Sequence, residues 1–224
     1  MHKSVKDILD KKKNGQKISV ITAYDYTLAT LCDKAGIDIM LVGDSAGMVM
    51  LGYESTIPVT MDQMVLFTEA VSRARQSSFV VADMPFMSYQ ASASDAIANS
   101  GRLIKAGADA VKLEGGKIVA PTIQAIVETG IPVMGHIGFQ PQTTTLAQGY
   151  RVQAKTTDAA LLLIEDAKAL EKNAEEHGSP FTWTQGESLS MLERPERIKQ
   201  IERELLVKVL GEFVSGKIDL APKR

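Results

Sequence analysis

Up to about residue 157 the chain alternates between short apolar runs and amphipathic segments. The runs 18–24, 37–43, 79–83, 110–113 and 132–136 are rich in β-branched residues and too short for buried helices, so they predict strands. Helix punctuation lies between them. Thr60-Met61-Asp62-Gln63 has the form of a capping box and predicts a helix to about residue 76. Ser92 followed by Asp95 is a similar start, and Gly107 suits the position just past a helix end. Gly36 and Gly130 close helices in the same way, each directly before a new strand. The repeated order of helix, glycine, apolar strand and polar residue implies parallel strands joined by right-handed crossovers. Five such strands by residue 138 favour a (β/α)8 barrel over an open doubly wound sheet.

The pattern then changes. Residues 157–177 predict one long helix, capped by Thr157 and closed at Gly178. Residues 179–187 are polar, aromatic and irregular, with one short strand expected around 181–184. A last helix follows, with Pro195 in its first turn and Ile198, Ile201, Leu205, Val209 and Phe213 at spacings of three and four. Seventh and eighth strands are not visible, and a full barrel usually takes about 250 residues. The barrel is therefore incomplete, completed by a neighbouring subunit, or short of a segment near residue 173. The expected organisation is a single domain over 1–224, with a regular barrel part in 1–172, an atypical segment in 173–193 and a C-terminal helix in 194–216.

Composition narrows the class. With 224 residues, 45% hydrophobic and 23% charged, the chain suits one globular domain with a substantial core. The net charge of −2 and the lack of a long basic run exclude a nucleic-acid binder. Lys11-Lys12-Lys13 is expected to be the solvated end of a first helix. No apolar run is long enough for a membrane span, and the start has no apolar core of a secretory signal. The single cysteine, Cys32, forms no internal disulfide, and a cytoplasmic location is expected. The methionines at 40, 48, 50, 61, 64, 84 and 87 are expected to fill the core and walls.

Three of the apolar runs end in acids: Leu41-Val42-Gly43-Asp44-Ser45, Ala82-Asp83-Met84-Pro85-Phe86 and Val111-Lys112-Leu113-Glu114-Gly115-Gly116. On parallel strands Asp44, Asp83 and Glu114 meet at one mouth of the sheet, where ligands of such folds bind. Their oxygens suit Mg²⁺, with one acid free to hold a metal-bound water. The plainer reading is that each acid caps the following turn. Lys112 lies two residues before Glu114 and so on the same strand face, where it could hold a substrate carboxylate or stabilise an enolate. It could equally pair with Glu114 or Asp83 and bind nothing. Ser45 offers a hydroxyl and an N–H to an anion, but no histidine motif marks it as a nucleophile. His136, after the fifth strand, is a substrate contact or a structural histidine. No glycine-rich phosphate motif occurs.

These segments, with Ile21-Thr22-Ala23-Tyr24-Asp25-Tyr26, Thr56-Ile57-Pro58-Val59-Thr60, Pro132-Val133-Met134-Gly135-His136-Ile137-Gly138 and Gly149-Tyr150-Arg151-Val152-Gln153, resemble the ketopantoate hydroxymethyltransferase family over about residues 1–172. The resemblance implies a (β/α)8 TIM barrel of the phosphoenolpyruvate/pyruvate-like superfamily and a homo-oligomer, commonly a decamer. It also implies transfer of a one-carbon unit from 5,10-methylenetetrahydrofolate to 3-methyl-2-oxobutanoate, giving 2-dehydropantoate for pantothenate synthesis. By the same resemblance Asp44, Asp83 and Glu114 form the Mg²⁺ site, and Asp44, Ser45, Asp83 and Lys112 contact the oxo acid. The chelated oxo acid is then acidified at C3, and its enolate attacks the methylene carbon.

The chain departs from the family in one place. The family's general base is a glutamate after the sixth strand, in a motif like Leu-Glu-Cys-Val-Pro, and ungapped counting puts it at Phe181, which cannot act as a base. A Gly-rich Ile-Gly-Ile-Gly-Ala-Gly stretch is also not visible, while the last helix and Ser215-Gly216 again resemble the family's C-terminus. The last barrel quarter is therefore expected to be shortened or replaced, and the catalytic base is unknown, with Glu175 and Glu187 as substitutes. Two alternatives stand beside the transferase. One is a Mg²⁺-dependent oxo-acid lyase, for whose cysteine-bearing lid Cys32 is badly placed. The other is a non-catalytic homologue or oligomer partner.

Overall fold

The computed structural model describes residues 2–143, 156–176 and 182–186. A first helix, α1 (Val5–Lys13), precedes β1 (Val20–Thr22). Then come α2 (Tyr26–Lys34), β2 (Ile39–Val42), a single turn α3 (Ala46–Val49), α4 (Met61–Ala74), β3 (Phe79–Asp83), α5 (Ala93–Lys105) and β4 (Ala110–Glu114). A 3₁₀ turn (Lys117–Val119) leads into α6 (Ala120–Glu128), β5 (Val133–Ile137), α7 (Thr157–Glu176) and β6 (Thr182–Gly186). The strands form one six-stranded sheet in chain order, and every adjacent pair is parallel. A doubly wound sheet reverses its strand order at a switch point. This sheet never does, so its topology is that of a barrel wall.

Local chemistry explains the helix starts. Thr60 accepts from Gln63 N while Gln63 Oε1 accepts from Thr60 N, which completes the expected capping box of α4. Ser92 caps α5 and Asp25 caps α2 by accepting the N–H three residues on. The predicted strands keep their places with shifted ends. β1 is shorter than 18–24, because it pairs with β2 only over Val20–Thr22. The strand expected around 181–184 is β6, paired in register with β5 from Val133↔Thr182 to Ile137↔Gly186. The segment 173–193 thus supplies a sixth strand, while Phe181, Glu187, 149–153 and the C-terminal helix lie outside the described residues.

Strand alternation sorts the core into two layers. Met40, Val42, Val80, Ala82, Val111, Leu113 and Val133 pack with the helices. Ile39, Leu41, Phe79, Val81, Ala110 and Met134 form a second cluster on the opposite strand face, against which Ile8 of α1 packs. Of the methionines, Met40, Met64 and Met84 are fully buried, whereas Met50 and Met87 are exposed and fill nothing.

Acids at the start of the strands are tied down. Asp38 accepts from Ser19 N (2.9 Å), Ser19 Oγ (3.0 Å) and Lys11 Nζ (2.6 Å), so Lys11 is not merely solvated as its run suggested. Asp33 accepts from Ser77 N (3.0 Å) and Ser78 N (2.8 Å). Burial alone would raise both carboxyls, but these hydrogen bonds outweigh it and hold each at about 2. A depressed folded pKa stabilises above the unfolded value near 4 and loses that effect as pH falls toward 2. Asp38→Asn should therefore cost about 1 to 2 kcal/mol at pH 7, with the gap to wild type shrinking between pH 5 and pH 3. Urea unfolding at the two pH values checks this; an equal gap at both would contradict it.

Candidate active site at the carboxyl ends of the strands

The face that carries the second, smaller apolar cluster changes character along the strands. Phe79 and Val81 on β3 give way to Asp83, and Ala110 on β4 gives way to Lys112 and Glu114. Met134 on β5 gives way to His136. The registers Asp83↔Lys112 and Glu114↔His136 set these side chains beside one another. Asp44 joins them from the turn after β2. All five are at least 95% buried, which is rare for charged groups without partners.

The partners are specific. Lys112 Nζ donates to Asp83 Oδ1 at 2.9 Å, and Asp44 N donates to Asp83 Oδ2 at 3.2 Å. Glu114 Oε1 faces His136 Nδ1 at 3.3 Å, and Glu114 Oε2 accepts from Gln142 N at 3.0 Å. Asp44 Oδ2 accepts from Gln142 Nε2 at 2.8 Å. Ser45 Oγ shares a hydrogen bond with Tyr24 OH at 2.8 Å. A Cβ at Gly43 would stand 2.8 Å from Ser45 Oγ and 3.5 Å from Asp83 Oδ2, so only glycine lets the β2 turn approach this closely.

Both partners envisaged for Lys112 are therefore nearby, and Asp83 takes the hydrogen bond. The acids are not simple caps: Asp83 engages the β2 turn and β4, Glu114 engages β5, and Asp44 engages Gln142. Sequence reasoning assigned no role to Tyr89 or Gln142. Tyr89 OH accepts from Glu114 N (3.1 Å) and lies 2.9 Å from Gln142 Oε1. Their signal was positional only, since both sit in the segments that follow strands, where barrel sites are built.

The charge balance is uneven. Three carboxylates face one ammonium. Burial, then the charge of Asp83, push the Asp44 carboxyl up to about 7, with Lys112 pulling the other way. Burial would lower Lys112, but Asp83, Glu114 and Asp44 outweigh it and keep the ammonium charged. Burial and Glu114 raise the Tyr89 phenol, so it remains a neutral donor.

Among the described residues, no three His, Cys, Asp or Glu side chains stand close enough together to hold a metal ion. A direct cage of Asp44, Asp83 and Glu114 is thus not formed. Mg²⁺ does not require one, because it takes one or two carboxylates and keeps water on its other positions. Adjacent hard oxygen donors with excess negative charge fit such a cation.

The family model described as ketopantoate hydroxymethyltransferase matches residues 2–175. The chain belongs to this family. The 3-methyl-2-oxobutanoate hydroxymethyltransferase of Nitrosopumilus maritimus (strain SCM1) is 74% identical over 172 residues, covering 77% of this chain and 62% of that protein. The like-named protein of Cenarchaeum symbiosum (strain A) is 63% identical over 160 residues, 71% of this chain and 60% of its own length. The chain thus matches these family members over about three fifths of their length. Among solved structures, 2,3-dimethylmalate lyase, a PEP mutase/isocitrate lyase superfamily member, aligns with a TM-score of 0.54 at 16% identity, over 84% of this chain and 65% of that one. Phosphonopyruvate hydrolase, solved with oxalate and Mg++, aligns with a TM-score of 0.55 at 13% identity, over 99% and 92%. With the chain-order parallel sheet, these likenesses show a (β/α)-barrel fold.

The raised Asp44 carboxyl has a measurable consequence. A carboxyl whose folded pKa exceeds its unfolded value destabilises as pH rises from about 4 to 7. In cation-free protein, Asp44→Asn should raise the melting temperature at pH 8 and raise it by less at pH 5. Thermal unfolding at both values tests this, and an equal effect at each would contradict it.

Proposed function

We propose that the protein transfers a hydroxymethyl group from 5,10-methylenetetrahydrofolate to 3-methyl-2-oxobutanoate, giving 2-dehydropantoate for pantothenate synthesis. The observation that carries this reading is the assembly of Asp44, Asp83, Lys112 and Glu114 at one buried mouth, inside the segment that matches the family. The curated relatives' names point to the same reaction.

In this reading Asp44 and Asp83 would hold Mg²⁺, with Glu114 supporting it through water. Such a cation would supply Lewis-acid polarisation of the oxo acid, which makes the C3 hydrogen more acidic. Lys112 has three donors, of which one goes to Asp83. The others serve the substrate carboxylate and the charge that develops on the enolate oxygen. Ser45, oriented by Tyr24, binds the substrate carboxylate by its hydroxyl. The apolar layer beneath excludes water and strengthens these contacts. The hydrogen bond to Asp83 keeps the Lys112 ammonium charged before substrate arrives.

The base that removes the C3 proton is the open part of the mechanism. Glu187 follows β6 directly in the chain, and Glu175 lies within α7. A second reading is supported by Phe181 and by the end of the family match at residue 175: a homologue that binds cation and oxo acid without turnover. Either protein would work as a cytoplasmic homo-oligomer. No described helix is long and apolar enough to cross a membrane.

Exchange of the C3 hydrogen of 3-methyl-2-oxobutanoate in D₂O, with Mg²⁺ and without folate, separates the readings. The transferase should exchange it, and Asp83→Ala should abolish both exchange and Mg²⁺-dependent binding of the oxo acid. Binding without exchange in the wild type would overturn the transferase in favour of the non-catalytic homologue.

A further inference from the structure

Gln142 sits at the centre of the site and takes no part in the chemistry above. It comes from the helical turn that begins at Pro141 after β5 and is 1% exposed. Its side-chain Nε2 donates to Asp44 Oδ2 (2.8 Å) and to Met84 O (2.9 Å). Its Oε1 lies 2.9 Å from Tyr89 OH and 3.5 Å from Gln90 Nε2. Its backbone N donates to Glu114 Oε2 (3.0 Å). One residue therefore ties together the ends of β2, β3 and β4. The amide orientation follows from the partners, because Met84 O can only accept.

We infer that Gln142 is a positioning residue that aims the Asp44 and Glu114 carboxylates for a divalent cation; the inference rests on the cation site proposed above. Three features support it. Among the described residues, the Asp44 carboxylate takes its hydrogen bond from Gln142 Nε2, so this donor decides where the carboxylate points. The amide is neutral, so it orients an acid without cancelling the negative charge a cation needs; a lysine there would cancel it. The far end of the amide is anchored in turn by Tyr89, whose hydroxyl also accepts from Glu114 N. Asp44 and Glu114 are thus coupled through Gln142 and Tyr89 even though their strands are not neighbours. Hydrogen bonds of this kind set ligand direction, and their loss typically costs about 10- to 100-fold in metal affinity.

The test is Mn²⁺ titration of the full chain, with free Mn²⁺ counted by electron paramagnetic resonance and folding followed by thermal unfolding. Gln142→Met keeps the volume and removes the donor; it should weaken Mn²⁺ about 10- to 100-fold in protein that still unfolds cooperatively. Tyr89→Phe keeps the ring and frees the amide, and should weaken Mn²⁺ by less. A lower melting temperature with unchanged Mn²⁺ affinity in both variants would reduce Gln142 to a structural residue and overturn the inference. Tighter binding in Gln142→Met would overturn it as well, by showing that the amide occludes the site. If the wild type binds no Mn²⁺ the cation site itself fails, an outcome distinct from equal affinities in wild type and variants.

Discussion

The upper end of this barrel is organised around mutual repulsion. Asp44, Asp83 and Glu114 are buried together, and water cannot screen them there. Lys112 offsets one charge through Asp83, and the hydrogen bonds of Gln142 and Tyr89 hold the other two acids in place without neutralising them. A fold gains nothing in stability from such an arrangement. The cation proposed above would carry the missing positive charge.

The opposite end of the same strands shows what acids look like when they serve stability. Asp33 and Asp38 are also buried, yet each is surrounded by donors and held well below the usual carboxylate range. Asp44 is displaced in the other direction, first by burial and then by Asp83. One end of the barrel satisfies its charges and the other leaves them in excess. That division matches the general split of such barrels into a stabilising face and a reactive face. Strand alternation produces it: the face that carries Phe79, Val81 and Ala110 below carries Asp83, Lys112 and Glu114 above.

Much of this was legible in the sequence because it depends on local spacing. The strand ends at Asp83 and Glu114, the capping box at Thr60 and the shared face of Lys112 and Glu114 follow from periods of two and from side-chain reach. The barrel topology needed the sheet order, since alternation alone also suits a doubly wound sheet. Gln142 was not legible. It meets Asp44 across 98 positions, and nothing in Phe139-Gln140-Pro141-Gln142 marks which glutamine turns inward. Tyr89 was hidden for the same reason. The choice between Asp83 and Glu114 as partner of Lys112 likewise required the register of β3 on β4. The sixth strand was only half visible, because Thr182-Trp183-Thr184-Gln185-Gly186 lacks the apolar continuity of the other strands and is defined by its pairing with β5.

The central claim is that the acid-tipped strands hold a cation to which the oxo acid binds directly. Electron paramagnetic resonance of Mn²⁺ in the full chain, with 3-methyl-2-oxobutanoate carrying ¹⁷O at its carboxylate and keto positions, tests this most directly. The bound Mn²⁺ lines should broaden with the labelled acid and not with the unlabelled one. Bound Mn²⁺ whose lines are identical with either acid would contradict it.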